Sequence, residues 1–257
     1  MVNIASFIAV VIVNFLSNTL PLNGRTAGEI SDALPSYFTP TGYTFSIWGV
    51  IYLTLLGFAV YQALPAQRQR PFMTRIGWLF AASSAANIAW LFAWHYGYYA
   101  LSPLIMVSLL LTLIAIYLRL RIGHPDPALS AADRLFLHLP FSLYLGWITV
   151  ATIANVASVA AYLGWDGLGI SGPVWSAAMM LAAVLVAGLL LYRRRNLAYA
   201  AVLVWAFLGI RAAYPTIDVI ATTALVATVL VAALALVGYA RTQPQAASSP
   251  PSVYGAG

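Results

Sequence analysis

Three sets of aromatic and amide side chains stand at one repeated spacing: Phe45, Trp48 and Tyr52; Asn87, Trp90 and Trp94; Tyr144, Trp147, Ala151 and Asn155. At about 100° per residue, positions i, i+3 and i+7 share one face of a helix. Indole and phenol rings offer flat surfaces for stacking, and amides offer both donors and acceptors. Such faces can line a pocket. Other chemistry has less support: no paired carboxylates, no cluster of metal ligands, no nucleophile elbow and no phosphate-cradling glycine loop stand on any helix. We therefore assign no catalytic residue and no metal ligand, and the sequence leaves enzymatic activity without a mechanism.

The elements that must carry these faces follow from composition. Apolar residues make up 62% of the 257 and charged residues 7%, and the mean hydropathy is +0.88. Apolar runs of about 20 residues, the length that crosses a bilayer, recur throughout. They predict helices near 2–20, 44–63, 76–97, 100–120, 136–162, 173–192, 197–213 and 217–240, an all-α polytopic membrane bundle of about eight transmembrane helices.

Charge placement tests that count separately, because cytoplasmic loops are enriched in basic residues. All twelve basic residues are arginines. Arg68, Arg70 and Arg75 fall in the second loop, Arg119, Arg121 and Arg134 in the fourth, Arg193, Arg194 and Arg195 in the sixth, and Arg241 after the last helix. The other side receives only Arg25 and Arg211, with Glu29, Asp32, Asp166 and Asp218. The alternation predicts a multi-pass protein of a bacterial plasma (inner) membrane with both termini cytoplasmic. The pI of about 9.7 then reflects orientation and attraction to anionic lipid, and no nucleic-acid partner is needed.

Residues 1–20 lack the basic flank and cleavage site of a secretory signal and are read as a retained helix. With no cysteine, disulfides and thiolate sites are excluded. The loop 21–43, with Pro21, Gly24, Pro35, Pro40 and Gly42, is long enough to be a lid. The tail 243–257, rich in Pro, Ser, Ala and Gly, is expected to be disordered. Helix directions put Phe45, Trp48, Tyr52, Asn87, Trp90 and Asn155 in the lid-side half of the membrane, so the three stripes converge beneath the loop.

The run Pro40-Thr-Gly-Tyr-Thr-Phe-Ser-Ile-Trp-Gly-Val-Ile-Tyr52, then Asn87-Ile-Ala-Trp90 with Trp94, then Tyr144-Leu-Gly-Trp147 with Ala151 and Asn155, resembles the translocator protein family, also called tryptophan-rich sensory proteins (TspO/MBR). The resemblance covers about residues 1–165. It implies a five-helix fold with a lid after the first helix, and binding of a tetrapyrrole such as porphyrin or haem as ligand, with no cofactor required. It assigns the ligand to Phe45, Trp48, Tyr52, Asn87, Trp90, Tyr144, Trp147, Ala151 and Asn155. The chain departs from the family pattern at Tyr43, where a Trp is usual, in a Phe45 to Trp48 step one residue shorter, and in Leu143 where a Pro usually precedes the Tyr.

The domain organisation expected is thus a TspO/MBR-like unit over 1–165, an additional three-helix membrane segment over 166–242 and the tail. Partners are the lipid bilayer and a hydrophobic small molecule, and a homodimer is compatible. Two other classes stay open: a secondary transporter of an amphipathic metabolite, although no inverted repeat is evident, and a membrane scaffold whose last three helices dock a partner. Trp94 and His95 read as interfacial belt residues. None of His95, His124 and His138 falls on the stripes, so iron ligation is not expected. Arg211 and Asp218 flank Tyr214-Pro215 and read as the turn between the last two helices.

Overall fold

Apolar runs in lipid must satisfy every backbone N–H and C=O within the segment, and the α-helix does so. The computed structural model of the protein describes residues 2–20, 22–34 and 36–241. In order, its helices are α1 (Val2–Thr19), α2 (Ala27–Ala33), α3 (Ile47–Ala63), α4 (Pro71–Ile76), α5 (Leu79–His95), α6 (Ser102–Arg119), α7 (Ala131–Asp133), α8 (Leu139–Tyr162), α9 (Gly172–Arg193), α10 (Leu197–Ala213) and α11 (Asp218–Arg241). There is no strand among the described residues. Pro21, Pro35 and the tail 243–257 lie outside them.

Among the described residues six helices are long and apolar enough to cross a membrane: α1, α3 with the 3₁₀ turn Gly42–Ser46, α6, α8 with its leading turns, α9 and α11. The two other long helices, α5 and α10, have 17 residues each. α5 buries Ser83, Ser84, Asn87 and His95, polar groups that lower its hydropathy and point into protein, where partners exist. The expected helix 76–97 is split at Gly77, whose φ of 50° ends α4, a conformation open to glycine at little cost. At the other boundary α10 stops at Ala213 and α11 opens at Asp218, so Arg211 and Asp218 flank the turn between them.

Proline marks helix starts, where its missing N–H costs nothing: α4, α6, α8 and α9 all carry it in their first two positions. α8 occupies the middle of the bundle, burying Phe141, Tyr144, Trp147 and Ile148. Phe141 meets Phe58 of α3 and Phe80 of α5 edge-on at centroid distances of 5.0 and 6.1 Å. On its other side Tyr199, Val202, Leu203 and Phe207 of α10 belong to the same buried cluster. The core therefore runs without a break across residue 165.

At the arginine-rich end, Asp133 is 1% exposed and forms a two-toothed ion pair with Arg70, at 2.7 and 3.0 Å. Tyr61 donates its hydroxyl to the same carboxylate at 2.9 Å, and Ser130 donates its hydroxyl at 2.8 Å. A residue that reads from sequence as a loop arginine thus pins the α3–α4 connection to the start of α8, in the bidentate geometry that makes such pairs strong.

Candidate functional site

The Phe45–Trp48–Tyr52 stripe crosses from the 3₁₀ turn Gly42–Ser46 into α3. Trp48 is its hub. It stacks on Tyr52 at 5.4 Å and 18°, and meets Tyr144 and Trp147 of α8 edge-on at 5.8 and 6.3 Å. Phe45 meets Trp147 at 5.7 Å and 82°. Offset and edge-to-face pairs of this kind satisfy the ring quadrupoles and rigidify the wall. On α5, Trp90 and Trp94 stack at 5.7 Å and 19°.

These walls enclose a cavity of about 560 Å³ beneath the lid. Phe45, Trp48, Tyr52, Trp90, Trp147, Ala151 and Asn155 all line it. Asn87 and Tyr144 do not line it and stand behind the wall. Asn87 accepts from Asn14 Nδ2 at 2.8 Å and donates to the Tyr144 hydroxyl at 3.1 Å, tying α1, α5 and α8 together. Asn155 is 4% exposed, and its amide exchanges hydrogen bonds with Ser102 of α6 at 3.0 and 3.2 Å.

Four lining residues also carry a polar atom that is left without a protein partner. Thr39 Oγ1, Tyr52 Oη, Trp90 Nε1 and Trp147 Nε1 are buried and make no hydrogen bond within the protein, and all four residues line the cavity. Each such buried group costs about 1–3 kcal/mol relative to a satisfied one. Two are obligate donors and the hydroxyls donate as readily, so the cavity is complementary to a ligand carrying acceptors. Among the described residues no charged side chain lines it.

Several lining residues were not among those assigned to the ligand from sequence. Trp94, expected at the membrane interface, is 3% exposed; its ring lines the cavity and its Nε1 donates to the Ala27 carbonyl of α2 at 3.2 Å. His95, also expected there, is buried, with Nδ1 at 2.8 Å from the Leu91 carbonyl. Val11 and Asn14 of α1 supply a further wall. The available signal was Asn14 itself, an amide in an otherwise apolar span. Thr39 and Pro40 come from the loop, whose conformation no periodicity foretells.

The loop closes the cavity as a lid with two differently anchored halves. In the first, Thr26 caps α2: its Oγ1 accepts the Glu29 N–H at 3.3 Å, while the Glu29 carboxylate accepts the Thr26 N–H at 2.6 Å. That backbone N–H, followed by the Thr26 hydroxyl, holds the Glu29 carboxyl below its ordinary pKa. Asn23 donates to the His95 carbonyl at 2.9 Å, and Ile30 and Leu34 pack on Trp94 and Val159. The second half is held by α9 and α10. Tyr214 donates to the Ser36 carbonyl at 2.6 Å, Ser176 to the Tyr37 carbonyl at 2.6 Å and Trp205 Nε1 to the Thr44 carbonyl at 2.9 Å. The Thr41 N–H donates to the Gly209 carbonyl at 3.2 Å. Tyr43, which departs from the family pattern, rests edge-on against Trp205 at 5.5 Å.

Comparison with known proteins gives one finding: the family model described as TSPO-like protein matches residues 1–237. The match passes well beyond residue 165, through α9 and α10 and most of α11. Neither the curated proteins nor the solved structures give a match.

Proposed function

The chain belongs to the TSPO-like protein family, and on that premise we propose that it binds a tetrapyrrole such as porphyrin, or another flat hydrophobic ligand with acceptor groups, in the aromatic cavity. It is an integral, multi-pass membrane protein with apolar helices facing lipid. One observation carries the proposal: Thr39, Tyr52, Trp90 and Trp147 all line an aromatic-walled cavity, and each holds a buried polar atom with no hydrogen-bond partner in the protein. Ring faces contribute stacking and area burial; indole N–H and hydroxyl groups orient carbonyl or carboxylate oxygens. None of the three histidines lines this cavity, so the reading rests on stacking and hydrogen bonds rather than iron ligation, and free-base porphyrin is the appropriate probe. With the arginine-rich end in the cytoplasm of a bacterial cell, the lid faces the other side of the membrane, and ligand reaches the cavity from there.

The test is titration of the detergent-purified protein with protoporphyrin IX, followed by porphyrin absorbance and fluorescence. Saturable binding is expected, weakened about tenfold by Trp147→Leu and by Trp90→Leu, the equivalent of about 1.4 kcal/mol each. Binding that ignores both substitutions in folded protein contradicts the cavity as the site.

A further inference from the structure

The opposite, arginine-rich end holds a second cavity, of about 470 Å³, which the aromatic site does not use. Four separate pieces of chain build it: the loop after α6 (122–129), the π-turn Arg134–His138 with the start of α8, the joint between α9 and α10, and Tyr239 of α11. His124, Arg134, His138 and Arg195 line it.

The joint is stitched in place by groups other than these four side chains. The Arg195 N–H donates to the Gly123 carbonyl at 2.8 Å. Arg194 donates from its guanidinium to the Ile122 carbonyl at 2.9 Å and lies 5.2 Å over the Tyr117 ring. Asn196 donates to the Tyr117 and Ser142 hydroxyls at 2.8 and 3.0 Å and accepts the Tyr199 N–H at 3.0 Å. Arg194 and Asn196 are therefore committed to structure, while the Arg195 side chain is left over. Its Nε is buried and has no hydrogen-bond partner.

Charge around the cavity is unbalanced. The one salt bridge among the described residues joins Arg70 to Asp133, so neither Arg134 nor Arg195 has a carboxylate partner. Asp126 is the acidic residue on the wall, and its Oδ1 accepts the Ala128 N–H at 2.9 Å within its own turn. Burial, then Arg194 and Arg121, lower the His124 pKa, which leaves a neutral imidazole for hydrogen bonding at pH 7. An arginine that serves only to orient the chain reaches outward into headgroups or water, as exposed Arg193 does. Arg195 instead lines a walled space and keeps a buried, unpartnered Nε, and low-dielectric surroundings focus its potential. The residues 242–257 that follow α11 contain no Asp or Glu to fill it.

We infer that this cavity binds a phosphate group, with Arg134 and Arg195 as its cationic ligands and His124 and His138 as hydrogen-bonding partners. Planar guanidinium groups match phosphate oxygens in paired N–H to O contacts, which an ammonium cannot do. The same chemistry is presented by the headgroup of an anionic phospholipid and by a soluble phosphorylated metabolite. The test separates them. Full-length protein is placed in phosphatidylcholine nanodiscs and its unfolding temperature followed during titration with inorganic phosphate, against sodium chloride of equal ionic strength; a second arm incorporates rising phosphatidic acid.

A saturable rise in unfolding temperature is expected in at least one arm, since a ligand that binds only the folded state stabilises it. Arg195→Gln and Arg134→Gln each weaken the apparent affinity at least tenfold, while Arg75→Gln, at the same end but outside the cavity, leaves it unchanged. A response to inorganic phosphate identifies a soluble ligand; a response to phosphatidic acid alone identifies a headgroup. Arg134 is exposed, so its variant carries the test if Arg195→Gln fails to fold. Absence of saturable stabilisation in both arms, or equal loss in Arg75→Gln, overturns the inference.

Discussion

The two halves of the lid cover the same cavity but are held by different physics. The first half is anchored largely by burial: Ile30 and Leu34 sink against Trp94 and Val159, with Asn23 and Trp94 adding one hydrogen bond each. The second half is anchored by a row of directional bonds to α9 and α10, from Ser176, Trp205, Gly209 and Tyr214. The difference gives α9 and α10 a task at the site. They position the strap, residues 36–44, that contributes Thr39 and Pro40 to the cavity wall.

Substitutions can break either anchor alone. Trp94→Ala removes a buried aromatic that both lines the cavity and carries α2, and it should destabilise the protein by about 3–5 kcal/mol. Thermal unfolding measures the loss; hydrogen exchange should rise at residues 26–34 before it rises at 36–44. Next in size is Gly209→Ala. A Cβ there would strike the Thr44 hydroxyl and come within 2.9 Å of Thr44 Cγ2 and 3.0 Å of Pro40 Cβ. Overpacking of this sort costs about 1–3 kcal/mol, and here exchange should rise at 36–44 while 26–34 stays protected. Opening of both halves together in each variant would show the lid to be one cooperative unit.

Tyr214→Phe isolates one directional bond. Loss of the hydroxyl leaves the Ser36 carbonyl without its donor, an effect of about 0.5–1.5 kcal/mol, read as a smaller change in exchange over the same segment. The smallest effect concerns pH. The Glu29 carboxyl has a lowered pKa in the folded lid, so its contribution is complete above its unfolded value and disappears as pH falls through the folded one. Protection of α2 should therefore decline in acid, and Glu29→Gln, which removes the titrating group, should abolish that pH dependence.

Much of the bundle was legible because a bilayer imposes length and composition on every span. The expected helices agree with α1, α3, α6, α8, α9, α10 and α11 to within a few residues. The stripe residues Trp48, Tyr52, Trp90 and Trp147 were legible because 3.6-residue periodicity fixes which side chains share a face. Trp94 was misplaced because its sequence position, at a helix end beside His95 and Tyr96, fits an interfacial belt equally well; only the lid folding back over it decides. The pairing of Tyr214 with Ser36, 178 residues apart, and of Asp133 with Arg70 leaves no periodic trace. Those contacts depend on how helices are arranged, and hydropathy carries no information about that.

The most direct test of the central claim is hydrogen exchange, read by mass spectrometry, of the purified protein with and without saturating protoporphyrin IX. The account predicts protection confined to three groups of peptides: the lid 26–45, the end of α5 around Trp90 and Trp94, and the stretch of α8 from Trp147 to Ser158. Protection elsewhere, or none in these segments despite saturable binding, would place the ligand outside the aromatic cavity.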